Sequence, residues 1–99
     1  MATRTIYGQV DSGGNVMAGT GFQCSRVSSG VNTIDFTQDF TSAPAVTVTP
    51  IGWDNNVYNI RDVFIKQPTS GQCIFYFFNT SSPPAPSDSS FNFIAIGED

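Results

Sequence analysis

One short segment of the chain combines an aromatic ring with carboxylate and amide groups. Residues 51–58 read IGWDNNVY, so an indole is followed directly by polar side chains. An indole can stack on the apolar C–H face of a sugar, while carboxylates and amides hydrogen-bond its hydroxyl groups. A nearby guanidinium could add charge-assisted hydrogen bonds. The predicted ligand-binding residues are Trp53, Asp54, Asn55, Asn56, Tyr58 and Arg61.

A structural role for the same residues stays open. Trp53 could cap the end of the fold or pack at a subunit contact, and the Asp-Asn-Asn run is also ordinary turn chemistry. Tyr58 could equally belong to an interface, and Arg26 could pair with a neighbouring carboxylate.

The chemistry needed for catalysis is sparse. Histidine is absent, which excludes Ser-His and Cys-His nucleophilic arrangements. Two carboxylate pairs, Asp35 with Asp39 and Asp54 with Asp62, could form a glycosidase-like arrangement, but isolated solvated or loop carboxylates explain them more simply. No glycine-rich loop opens a helix to hold a phosphate. We therefore expect no catalytic residue, no metal ligand and no cofactor.

The composition limits the classes of partner that the chain is expected to bind. The net charge is −4, and the four basic residues are scattered along the chain. Nucleic acid is therefore an unexpected partner, because phosphate binding needs clustered Lys and Arg. No apolar run approaches the roughly 18 residues that span a bilayer, and no secretory signal peptide opens the chain. We expect a virion-associated protein or one released from the cell without such a signal, and otherwise a cytoplasmic one, with no membrane insertion.

Hydrophobic alternation predicts the elements that must position these side chains. Short runs rich in Val, Ile, Thr, Phe and Tyr recur between turn signals, and no stretch has helical apolar spacing. Asp11 and Asn15 flank a Ser-Gly-Gly turn, which they could shape, although an oxygen-lined loop could also bind calcium. Residues 1–99 are predicted to form one all-β domain, a small antiparallel β-sandwich of about seven strands. The predicted strands are 3–10, 16–27, 31–36, 45–49, 56–66, 72–79 and 90–97.

Two of the predicted strands are apolar on both faces. In residues 72–79 and 90–97, aromatic or aliphatic residues occupy both alternating sets, although one sandwich buries only one set. An exposed apolar strand face promotes aggregation, so we expect a second subunit to cover it. The alternative is that the Pro- and Ser-rich loop at residues 80–90 folds over this face. Cys24 and Cys73 are expected to be buried thiols, with a disulfide as the alternative.

The order of residues resembles a recurrent bacterial and phage module. The matching features are Gly19-Thr20-Gly21-Phe22, Arg26, the strand at residues 30–36, Phe40, the Pro-Ala-Val-Thr-Val-Thr run at residues 44–49, and the closing FNFIAIG at residues 91–97. The group comprises small β-sandwich domains at the tips of phage tail fibres and bacterial adhesins, and it is similar to H-type lectin domains.

This resemblance implies a function as well as a fold. It implies a homo-oligomer, a trimer, that recognises glycans or cell-surface receptors through distal loops or between subunits. The matching residues are mainly core and turn positions, which report fold better than ligand. A structural oligomer that caps or decorates a virion or secretion assembly is the alternative.

Overall fold

The computed structural model describes residues 2–51 and 60–99, with the backbone alone of residues 60 and 61. Within these ranges the chain forms strands, turns and loops, and it contains no helix long and apolar enough to cross a membrane. The strands are β1 (Thr3–Val10), β2 (Val16–Ala18), β3 (Phe22–Ser28), β4 (Val31–Phe36), β5 (Ala45–Ile51), β6 (Ile60–Lys66), β7 (Gln72–Asn79) and β8 (Ser90–Glu98).

The strands form two four-stranded antiparallel sheets. Sheet A has the order β2-β1-β8-β5, and sheet B has the order β3-β4-β7-β6. Alternate residues of each central strand turn inward, and their side chains fill the space between the sheets. The predicted all-β sandwich is therefore confirmed. The strand count is eight where the sequence predicted about seven.

The extra strand arises because the run at residues 16–27 is not one continuous strand. β2 ends at Ala18 in sheet A, and β3 begins at Phe22 in sheet B. Gly19 and Gly21 between them have φ values of 96° and 88°, in the left-handed region that favours glycine. The sequence predicts a single strand here. The glycines instead carry the chain from one sheet to the other.

Phenylalanine rings fill the core. Phe22 of β3 meets Phe93 of β8 edge to face, with ring centroids 4.8 Å apart, and Phe75 meets Phe91 in the same way at 5.3 Å. These contacts join the two sheets directly. Phe40 reaches the core from the loop before β5 and is only 3% exposed, as the sequence predicted.

The outward apolar residues of β8 are exposed, whereas Ile74, Tyr76 and Phe78 on the outward face of β7 are half-buried. On β8, Ile94 is 44% and Ile96 is 46% exposed, although Phe91, Phe93 and Ala95 on the opposite face are buried. The loop at residues 80–89 does not cover them. It continues sheet B instead, because the Asn79 amide donates to the Ala85 carbonyl and the Ser87 amide donates to the Phe77 carbonyl.

The two cysteines are free thiols, and Cys73 is buried as expected whereas Cys24 is only half-buried. Cys24 and Cys73 both pair with Ile34, from opposite sides of β4, so two strand spacings separate them. That distance is about 9.5 Å, beyond the roughly 7 Å Cα separation that a disulfide bridges. Burial, the largest cause, raises the pKa of Cys24 to about 11 and that of Cys73 to about 12.

Candidate recognition surface

The predicted ligand-binding segment falls largely outside the described residues. Trp53, Asp54, Asn55, Asn56 and Tyr58 lie in the undescribed range 52–59. Arg61 belongs to β6, but its side chain is not described. The proposed contact between these residues and a ligand therefore stays a prediction, and the described residues on either side define its setting.

Those flanking residues place both ends of the segment at one end of the sandwich. Ile51, the last residue of β5, pairs with Ser90 at the start of β8. Ile60, the first residue of β6, pairs with Asn79 at the end of β7. Because Asn79 and Ser90 bound the loop at residues 80–89, the segment starts and finishes beside that loop. We call this end of the sandwich, with the turns at residues 11–15 and 28–30, the loop end.

The turn at residues 11–15 is built on one carboxylate. Asp11 Oδ1 accepts hydrogen bonds from the backbone amides of Gly13 and Asn15, each at 2.9 Å, and Asn15 Nδ2 donates to Oδ2 at 3.1 Å. These hydrogen bonds, led by that of the Asn15 amide, hold the pKa of Asp11 below its usual value. Both oxygens of the carboxylate thus shape the turn, which favours the turn role over calcium binding.

An ion pair ties the long loop to the sandwich. Arg26 Nη2 of β3 lies 2.9 Å from Asp88 Oδ2, and Arg26 Nε donates to both carboxylate oxygens at 3.0 Å. The Gly30 amide also donates to Asp88 Oδ1, at 2.8 Å. Gly30 has a φ of 74°, and a side chain there would collide with the Ser87 amide. The sequence prediction that Arg26 pairs with a carboxylate is confirmed.

Hydrogen bonds to the Asn79 side chain hold the first residues of the same loop. Asn79 Oδ1 accepts hydrogen bonds from the amides of Ser81 and Ala85, at 3.0 and 3.1 Å, and from the Ser81 hydroxyl at 2.6 Å. An isolated bridge between Phe78 and Pro86 is its one ladder contact among the described residues. The loop forms no element of its own, as its composition predicted, yet side-chain hydrogen bonds hold it at both ends.

The termini lie at the opposite end of the sandwich. The Asp99 amide donates to the Ala2 carbonyl at 2.8 Å, and Arg4 Nε lies 3.4 Å from Asp99 Oδ1. The Arg4 guanidinium also stacks 4.2 Å from the centre of the Phe40 ring. An attachment through either described terminus would therefore leave the loop end free.

Of the two candidate carboxylate pairs, the structure describes both members of the first and only Asp62 of the second. Asp35 Oδ1 accepts a hydrogen bond from Gln72 Nε2 at 3.0 Å on the outer face of sheet B, and Asp39 lies against Gly71 in the turn before β7. Asp54 lies outside the described residues, and the Asp62 side chain is exposed on β6. In residues 2–51 and 60–99, no group of three or more His, Cys, Asp or Glu side chains could hold a metal ion.

A second surface was predicted only in part, because the sequence indicated the outward face of residues 90–97 but not the adjoining residues of β1 and β2. A shallow groove of about 380 Å³ crosses the outer face of sheet A and is lined by Tyr7, Gly8, Gln9, Ala18, Asn92 and Ile94. Gln9 and Asn92 lie directly opposite one another in the β1–β8 ladder, as do Tyr7 and Ile94. The sequence could have indicated this groove, since alternation in β1 and β8 places these residues on one face of the sheet.

Comparison with protein-family models, with curated proteins and with solved structures gave no match to this chain.

Proposed function

We propose that the chain is a non-catalytic binding module that recognises a carbohydrate or a cell-surface receptor and acts as a symmetric homo-oligomer, a trimer. The observation that carries the proposal is the arrangement of the loop end. The Asp11 turn, the Arg26–Asp88 ion pair and the Asn79 hydrogen bonds order the described backbone beside both attachment points of residues 52–59.

An ordered platform favours ligand binding. A site whose supporting backbone is already fixed loses less conformational entropy when a ligand binds. In this proposal Trp53 stacks on the apolar face of a sugar, and Asp54, Asn55 and Asn56 hydrogen-bond its hydroxyls. Arg61 and Tyr58 add further polar contacts. The absence of histidine from the whole chain agrees with a site that binds without transforming its ligand.

The setting in which such a module would work follows from the resemblance described above. A domain at the tip of a tail fibre or adhesin presents its loops away from its attachment point, and here the termini and the loop end lie at opposite ends. Several copies binding together would raise a weak single-site affinity. We propose that the protein acts on a virion or outside the cell.

The test is a glycan array probed with the purified oligomer and with a Trp53→Ala variant. Phe64→Ala is the matched control, because Phe64 is an exposed aromatic residue in the middle of β6, away from the loop end. Circular dichroism and sedimentation must show that all three proteins are equally folded and assembled. We expect selective binding by the wild type and the control, and its loss in Trp53→Ala. If the array shows no binding, we would propose the structural role instead.

That structural role is the second candidate, and the exposed apolar side chains favour it. Tyr7, Ile94 and Ile96 on sheet A, with Phe64 on sheet B, are the kind of surface that a capping or decorating subunit of a virion or secretion assembly buries. Trp53 is the chain's one tryptophan, so fluorescence excited selectively from tryptophan reports on it alone. Emission that acrylamide quenches readily in the oligomer supports recognition, and a shielded, blue-shifted emission supports the structural role.

A further inference from the structure

The outer face of sheet A is uncharged over its central rows. Thr5, Ile96 and Ala45 lie side by side across β1, β8 and β5, and Tyr7, Ile94 and Thr47 form the next row. Gln9, Asn92 and Thr49 form the third. The carboxylate of Glu98 lies beyond these rows at the rim, opposite Thr3. We call the three rows the neutral face.

The neutral face also exposes aliphatic residues in neighbouring positions. Ile94 and Ile96 alternate on β8, and Tyr7, which pairs with Ile94, is 62% exposed. Isoleucine side chains in strands usually pack against other residues. Two exposed isoleucines beside a tyrosine therefore form a contiguous apolar surface. The loop at residues 80–89, bound to the end of β7 in sheet B, leaves this surface open.

Charge decides what fits the neutral face. The chain carries a net charge of −4, so two copies repel each other wherever their carboxylates approach. A contact between identical chains is least opposed where neither copy presents a charge. The outer face of sheet B does not offer this, because Asp35, Asp62 and Lys66 alternate outward with the apolar residues of β4 and β6.

We propose that the neutral face binds a second copy of this chain and is the self-association interface of the oligomer. This inference rests on the oligomer in the proposed function and assigns it a surface. Ile94, Ile96 and Tyr7 form the apolar centre of the contact. The side chains of Gln9 and Asn92, which make no hydrogen bond to another described residue, offer donors and acceptors at its edge, and these fix the register between the copies.

Sedimentation velocity of the full chain tests the assignment. Ile94→Lys introduces an ammonium at the centre of the neutral face, and Phe64→Lys introduces the same group on the exposed side of sheet B. We expect a wild-type oligomer at micromolar concentration, a dissociation constant raised by about 30-fold or more in Ile94→Lys, and no change in Phe64→Lys. Ile94→Thr keeps a β-branched residue and is expected to weaken assembly by about tenfold, so it decides the matter if the Lys variant does not fold.

The outcomes separate this inference from the proposed function. A monomeric wild type, or an oligomer that Phe64→Lys dissociates and Ile94→Lys does not, overturns the assignment of the neutral face. If such a protein still binds glycans through Trp53, recognition stands without this interface. If Ile94→Lys dissociates the oligomer while the glycan array shows no binding, the interface stands and recognition fails.

Raising the salt concentration from about 0.05 to about 0.5 M should not dissociate the wild type, because screening weakens the repulsion between like-charged chains.

Discussion

Gly8 shows how closely single residues are constrained in this sandwich. It faces the core from β1, beneath the edge-to-face contact of Phe22 and Phe93. A Cβ atom at Gly8 would lie 2.6 Å from Phe93 Cε1 and would also collide with the Phe22 ring. The missing side chain thus provides the space in which two large rings meet. At the same scale, burial keeps both cysteine thiols protonated at neutral pH.

Gly8→Ala is therefore expected to destabilise the fold. The added methyl group forces the Phe22 and Phe93 rings out of their contact, and overpacking of this kind costs about 1–3 kcal/mol. Gly13→Ala is the control, since a Cβ there meets only the Asn15 and Asp11 side chains at 3.3 and 3.4 Å in an exposed turn. Thermal unfolding at equal protein concentration measures both. Equal stability of the two variants would contradict the packing described for Gly8.

At the scale of elements, the loop at residues 80–89 depends on a titratable ion pair. Partial burial acts to raise the pKa of Asp88, but hydrogen bonds from Arg26 and Gly30 outweigh it and hold that pKa below its usual value. A carboxyl whose pKa is lower in the folded state stabilises that state above its unfolded pKa. The contribution is lost as the pH falls through the folded value. The attachment of the loop is thus complete at neutral pH and fails in acid.

Asp88→Asn tests this attachment. The variant keeps an acceptor for the Gly30 amide and loses the charge pair with Arg26, so we expect faster amide exchange at residues 81–88 at neutral pH. The wild type should keep its protection down to about pH 4 and lose it below that value, while Asp88→Asn shows no such step. The amides of β8 serve as the internal control. Unchanged exchange in the variant would mean that the Asn79 hydrogen bonds alone hold the loop.

The alternation of apolar residues predicted most of the strands. Where this prediction was wrong, the reason is physical. β1, β4 and β7 have the bounds that alternation predicted, because each turns mainly apolar residues toward the core, although Arg4 of β1 and the buried Asn32 of β4 share those faces. The prediction of a single strand over residues 16–27 was wrong. Alternation continues across Gly19 and Gly21, so it does not reveal that the chain changes sheets there. The Arg26–Asp88 pair joins residues far apart in the sequence, so local pattern could suggest a carboxylate partner for Arg26 but not identify it. The Trp53 segment lies outside the described residues and stays a prediction.

At the scale of the whole molecule, the account assigns different tasks to different surfaces. In the proposed function the loop end carries recognition, and in the further inference the neutral face of sheet A carries self-association, while the described termini lie away from the loop end. This separation would let several copies present their loop ends together. Linked sites bind a surface far more tightly than one site does, by about 10² to 10⁴-fold when the geometry allows simultaneous contact.

The most direct test of this multivalent recognition is one glycan array probed in parallel with the wild-type oligomer and with dissociated Ile94→Lys chains at equal subunit concentration. The account predicts that both forms select the same glycans and that the single chains bind them about 10² to 10⁴-fold more weakly. An array on which neither form binds, or on which both bind with equal strength, would contradict it.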